Sequence, residues 1–213
     1  MFVQTLNVGP LQACCYIVAP EDGMEAAIID PGGDAELLVE QLDLHGYLPA
    51  LVLLTHGHID HIAAVADLKT AFPDAQICIH EADADMLRDP SAALASFIGL
   101  PFDACEPDRL IADGDSIELG SIAFQVVHTP GHTQGGVSFL VRQPGGPDVV
   151  FSGDTLFAGG IGRTDFPGGD FGQLLDSIRD RLFALAPETV VYPGHGEAST
   201  IGEERGTNPW VKM

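Results

Sequence analysis

The sequence predicts an α/β protein in which two sheets pack face to face with helices outside. Strand-like apolar runs alternate with helical patterns through the first half, and a second series of strands resumes at Ser116. Four apolar strands then end alike, each in glycine and a residue able to bind metal. No linker-like boundary or low-complexity tract interrupts the 213 residues, and 46% of them are hydrophobic. The expectation is one domain, 1–213, with an ample packed core.

Phe2 to Val8, Cys14 to Ala19 and Glu25 to Asp30 are short strand-like runs broken by Gly9-Pro10 and Pro20-Glu21-Asp22-Gly23, which predicts an antiparallel meander. Asp30-Pro31-Gly32-Gly33-Asp34 reads as a turn. Asp34 is then the expected cap of a helix carrying Leu37, Leu38, Gln41, Leu42 and His45, stopped at Gly46. Pro49 to Leu54 is wholly apolar, as a strand covered on both faces would be. A helix to Ala71, a strand from Gln76 to Ile79 and a helical stretch from Glu81 to Leu87 follow. Ser91 to Arg109 is irregular and is expected to border a substrate site. Strand rhythm returns at Ser116 to Leu119, Ile122 to Val127, Val137 to Val141 and Val149 to Phe151. Leu174, Leu175, Ile178, Leu182 and Leu185 then mark a helix over 171–185, before a last strand from Thr189 to Tyr192.

Nine Lys and Arg against 31 Asp and Glu give a formal charge of −22, which repels a phosphate backbone and argues against nucleic acid as a partner. The N-terminus lacks the basic flank and apolar core of a secretion signal, and no apolar run approaches the roughly 18 residues of a membrane span. A cytoplasmic protein without a membrane partner is expected. Cys14, Cys15, Cys78 and Cys105 show no C-x-x-C spacing and are read as reduced thiols.

The densest chemistry lies in His56-Gly57-His58-Ile59-Asp60-His61. His and Asp are seldom buried unless hydrogen-bonded or bound to metal. His56 and His58, two apart, point to one side of an extended chain, whereas Asp60 and His61 stand in the first turn of an Ala-rich helical run. Later strands run into His132, Asp154 and His195, each beside glycine. Five imidazoles and two carboxylates exceed the three protein ligands of one open tetrahedral ion and suit two ions, with Asp154 as the natural bridge. His45 reads as a solvated helix-end residue. His80 and His128 also end strands, and would at most support the ligands through hydrogen bonds.

This pattern, His56-x-His58-x-Asp60-His61 followed by His132, Asp154 and His195, resembles the metallo-β-lactamase superfamily from end to end of the chain. The resemblance implies a four-layer αββα sandwich. It also implies that His56, His58 and His132 hold one metal, that Asp60, His61 and His195 hold the second, and that Asp154 bridges them. Gly153-Asp154-Thr155-Leu156-Phe157 and Gly162-Arg163-Thr164-Asp165-Phe166-Pro167 are similar to the glyoxalase II (hydroxyacylglutathione hydrolase) group, in its short single-domain branch. Long members carry a C-terminal helical domain with basic residues for glutathione, whereas 18 residues follow His195 here.

The cofactors implied are two divalent ions, zinc foremost, with iron or manganese also suited to the donors. Water shared by two dications loses a proton near neutral pH, and Asp60 is placed to orient the resulting hydroxide. The expected activity is hydrolysis of a small-molecule acyl-thioester, glutathione thioesters being one class, because a thiolate leaves without a strong general acid. Arg163 is a candidate for holding a substrate carboxylate, unless Asp165 or Asp170 takes it in a salt bridge. The rival reading is a mononuclear-iron persulfide dioxygenase using His56, His132 and Asp154; a third is a binding protein with a retired site.

Overall fold

The computed structural model describes residues 1–211. In chain order the strands are β1 (Phe2–Val8), β2 (Ala13–Ala19), β3 (Glu25–Ile29), β4 (Leu48–Leu53), β5 (Gln76–His80), β6 (Arg109–Ile111), β7 (Ser116–Leu119), β8 (Ile122–His128), β9 (Val137–Val141), β10 (Val149–Gly153), β11 (Leu156–Phe157), β12 (Gly160–Ile161), β13 (Val190–Pro193) and β14 (Ser199–Thr200). The α-helices are α1 (Ala35–His45), α2 (Ile59–Ile62), α3 (Val65–Ala71), α4 (Ala95–Ile98), α5 (Phe171–Asp176) and α6 (Ile201–Thr207). One sheet has the order β1-β2-β3-β4-β5-β6 and the other β14-β13-β10-β9-β8-β7.

Successive side chains of each strand point to opposite faces of its sheet, and this divides the core into layers. Leu51 and Leu53 of β4 face the second sheet, where they join Phe124, Phe139 and Phe151 in the inter-sheet core. Val52, one residue out of phase, packs outward with Ile59, Ile62 and Val65 of α2 and α3. Leu38 and Leu42 of α1 cover β2 and β3, while Leu174, Ile178 and Leu182 cover β10 and β13. The result is the expected αββα sandwich. Among the described residues, no helix is long and apolar enough to cross a membrane.

Several local expectations change. Asp34 occupies the position before α1, but its backbone is left-handed at φ 51° and makes no side-chain cap. Its carboxylate instead accepts from the Gly9 amide at 2.8 Å, tying α1 to the β1–β2 turn. The single helix expected through Ala71 breaks into α2 and α3, because the Ala64 amide turns away from its own helix to the Pro31 carbonyl at 2.9 Å. The 171–185 helix continues past α5 as π-helical turns over Ser177–Leu182, and the stretch at Glu81–Leu87 is a 3₁₀ helix. Strands β6, β11, β12 and β14 and helix α6 are too short to carry a periodic signal. Replacing Phe139, fully buried between the sheets, with alanine should lower unfolding free energy by about 3–5 kcal/mol in urea titration; a loss below ~1 kcal/mol would mean that the layer between the sheets is not close-packed.

Candidate metal centre

Strands β3, β4 and β5 run parallel, as do β10 and β13, so their C-terminal ends open on one edge of the sandwich. The two sheets are joined there by backbone bonds, from Val137 N to Thr55 O at 2.8 Å and from Cys14 N to Gly194 O at 2.7 Å. His56 and His58 follow β4, and the backbone of His58 is extended at φ −69°, ψ 147°, just before α2. His132 follows β8, Asp154 follows β10, and His195 follows β13.

The structure brings all seven together. His56, His58 and His132 offer ligand atoms mutually within 4.8 Å, and Asp60, His61 and His195 do the same. Asp154 lies between the sets, with Oδ1 3.4 Å from His61 Nε2 and Oδ2 3.5 Å from His132 Nε2. Its Oδ2 is also 3.8 Å from His195 Nε2. Within the first set His58 Nδ1 faces His132 Nε2 at 2.8 Å. In the second, Asp60 Oδ2 is 3.3 Å from His195 and 3.8 Å from His61.

The far sides of three rings are already engaged. His61 Nδ1 meets the Asp30 carboxylate at 3.1 Å, His132 Nδ1 meets the Arg163 carbonyl at 2.7 Å, and His56 Nδ1 meets Thr55 Oγ1 at 3.1 Å. Such partners fix ring orientation and turn the other nitrogen toward the centre. His56 Nε2, His61 Nε2 and Asp154 Oδ1 are buried without a hydrogen-bond partner. Orphaned buried groups are costly, and a cation in contact with them satisfies all three. The donor set therefore fits divalent metal ions.

Titration behaviour agrees with a cluster shaped for cations. Burial, followed by the neighbouring imidazoles, holds His56 well below its ordinary range and pushes His58 down to about 3. Burial also opposes charge on His61, but Asp154, Asp60 and Asp30 outweigh it and pull that imidazole well up. Burial disfavours the Asp154 carboxylate too, yet His61, His132 and His56 hold it well below the usual carboxylate range.

Two residues that sequence reasoning passed over complete the frame. Asp30, fully buried, accepts from the Thr55 amide and hydroxyl as well as facing His61. It ends an apolar strand just before Pro31-Gly32, which is the strand-end signature of the ligands themselves, hidden inside what reads as a turn. Asp83 accepts from the Gly57 amide, Thr133 Oγ1 and the Gly135 amide, clamping the His56–His58 loop to the His132 loop. Nothing in the sequence around it marks this role. His80 and His128 stack on each other at 4.4 Å and bond to the Ala82 amide and the Gln134 carbonyl, so neither touches a donor ring. His45 packs against Phe2 and Tyr47.

The centre opens into a cavity of about 590 Å³ whose floor includes His58, Asp60, His132, Asp154 and His195. Leu94, Phe97 and Ile98 of the irregular excursion line it, as the sequence led us to expect. Arg163 lines it as well, but Asp165 holds its guanidinium through two bonds of 2.8 Å.

Gly194 has no room for a side chain, since a Cβ there would collide with Asp154 Oδ1 and His61 Cε1. Gly194→Ala should reduce the metal content of the purified protein, read by elemental analysis, and full retention would mean that Asp154 tolerates displacement. Asp30→Asn should weaken metal affinity by about 10–100-fold in chelator competition. Metal-free protein should lose stability as pH falls from 6.5 toward about 3, because the unfolded chain protonates His58 throughout that window and the folded one does not. Urea midpoints across that range test this, and a flat profile would contradict it.

The model of the metallo-beta-lactamase superfamily matches residues 8–195. The hydroxyacylglutathione hydrolase GloC of Haemophilus influenzae is 38% identical, over 99% of this chain and 98% of its own length. The crystal structure of BLEG-1, a B3 metallo-beta-lactamase, superposes with a TM-score of 0.92 at 38% identity and covers all of both chains. TTHA1623, solved in a di-iron-bound form, gives 0.84 at 41% identity over 99% of this chain and 100% of its own. With the family model matching residues 8–195 and a relative 38% identical over 99% of the chain, the protein belongs to the metallo-beta-lactamase superfamily.

Proposed function

We propose that the protein is a dinuclear metal-dependent hydrolase cleaving acyl-thioesters. Hydroxyacylglutathione, named as the substrate of the Haemophilus relative, is a thioester of this class. The observation that carries the reading is the presence of two three-residue donor sets with Asp154 between them. In this proposal His56, His58 and His132 hold one ion, Asp60, His61 and His195 the other, and Asp154 both. Zinc suits an imidazole-rich set best, while iron and manganese also fit. Two bound ions supply an acidified water and an electrophilic site for the carbonyl oxygen.

The protein's own groups do the rest. Asp60 lines the cavity. Burial works against its charge, but His61 and His195 hold its carboxylate below the usual range, so it is ionised and accepts a hydrogen bond that orients the attacking water. Among the described residues lining the cavity, the only side chain able to donate a proton besides the proposed ligands is Arg163, which never gives up its own. An amine or alkoxide leaving group would lack an acid here, whereas a thiolate leaves without one. Arg163 remains in the proposal as a substrate contact, although Asp165 occupies its charge. Four free thiols suit a reducing cytoplasm.

A mononuclear-iron persulfide dioxygenase would need only His56, His132 and Asp154 and would leave the Asp60–His61–His195 set without a task. Elemental analysis should give two divalent ions per chain, and the metal-loaded protein should turn over a panel of acyl-thioesters that includes S-lactoylglutathione. One iron per chain with oxygen uptake on glutathione persulfide would sink the hydrolase reading. Asp154→Ala should lower thioesterase kcat/KM by about 100-fold or more, as expected when a group shared by both ions is removed.

A further inference from the structure

The cavity above the donors has a composition that the proposed chemistry does not use. Leu11, Leu94, Phe97, Ile98, Phe157, Ile161 and Phe166 form its walls. Phe166 stands edge-on to His58 at 5.9 Å, and Phe97 stands edge-on to Phe166 at 5.4 Å, so one aromatic wall climbs from the donors toward solvent. Phe157 faces His195 edge-on at 6.1 Å on the other side. Phe97 is 72% exposed and Leu11 46% exposed, which leaves apolar surface at the rim with nothing yet against it.

Charge is as one-sided as shape. Arg163 is the only cation lining the cavity among the described residues. Asp165 neutralises it, and its guanidinium lies 3.7 Å from the Phe166 ring centroid, so it offers a flat face more than a free charge. The surrounding chain carries a formal charge of −22. A glutathionyl group, with two carboxylates and one ammonium, would find no unpaired cation on these walls.

Resting on the thioesterase reading, we propose that this cavity selects thioesters bearing an uncharged apolar group, aliphatic or aryl, over glutathione thioesters. The apolar group lies along Phe97, Phe166 and Ile98 with the carbonyl at the donors. The reaction stays a hydrolysis. A bond forms from the water oxygen to the acyl carbon, the C–S bond breaks, and the sulfur leaves with the electron pair and takes up a proton from water.

The test uses the metal-loaded full chain. Two steady-state series are measured beside S-lactoylglutathione: N-acetylcysteamine thioesters of acetyl, butanoyl and hexanoyl groups, and acetyl thioesters of ethane-, butane- and hexanethiol. In at least one series kcat/KM should rise about three- to fivefold per methylene, the factor that burying one CH₂ carries; the series that rises identifies the acyl or the thiol side. The hexyl member should exceed S-lactoylglutathione by at least about tenfold. Phe97→Ala should lower kcat/KM for that member about tenfold, mainly through KM. Flat series, or preference for S-lactoylglutathione, would overturn the proposal. Calorimetric Kd values for S-ethyl, S-butyl and S-hexyl N-acetylcysteamine, thioethers that carry no thioester bond, separate the two readings. No turnover of any thioester with tightening Kd would remove the thioesterase and keep the apolar selectivity, and Kd independent of chain length would remove the selectivity.

Discussion

The Asp154 carboxylate lies within 3.5 Å of an imidazole from each donor set, and much of the molecule is arranged to keep it there. A carboxylate so deeply buried is costly unless opposite charge is held close. In the metal-free chain His61 supplies that charge, drawn upward by the same carboxylates that need it. Space is the second condition. Gly194 and Gly153 border Asp154, and the positive φ of Gly153, 50°, brings it against Thr55 where a Cβ would strike the hydroxyl. The strand ends can converge only because they are shorn of side chains at these points.

Rigidity behind the donors follows from the same convergence. Asp30, Thr55 and the Arg163 carbonyl hold the outer nitrogens of His61, His56 and His132. Asp83, in the 3₁₀ helix after β5, reaches across to the His132 loop, and burial raises its pKa while three donors stabilise its charge. Apart from the bond between adjacent Thr55 and His56, these contacts join segments 26 to 52 residues apart in sequence. The two sheets are therefore locked to each other at the edge where the site lies, in addition to being packed through the Phe124–Phe139–Phe151 core.

Above this polar floor the architecture changes character. The excursion with α4 and the β11–β12 hairpin contribute apolar walls, and the hairpin is braced from behind by α6. There the buried Glu204 accepts from the Gly159 amide, and Asn208 donates to the Gly160 carbonyl. In the proposed reaction, a site with dense charge at its base and hydrocarbon at its sides would fix a carbonyl by polarity and its substituent by area. The division also explains why Arg163 contributes so little charge: Asp165 and Phe166, within three residues, absorb it.

The sequence by itself determined the run of strands and helices and the candidate donors, while the grouping of those donors came from the resemblance to the superfamily. Leu51, Val52 and Leu53 of β4 are all apolar, so residue type says only that both faces are buried, and the pleat of the strand sends Leu51 and Leu53 to one core and Val52 to the other. The donors were legible because imidazoles and carboxylates beside glycine at the ends of apolar strands have few other uses. Tertiary structure alone decided the rest. The break between α2 and α3 depends on a carbonyl at Pro31 that no local pattern announces. Asp83 matters through amides 26 and 52 residues away, and Asp30 through a ring 31 residues away. The apolar cavity is drawn from six separate segments. Local sequence records what a residue can do and the period it follows, while the pairing of distant backbone groups is set only when the sheets close on one another.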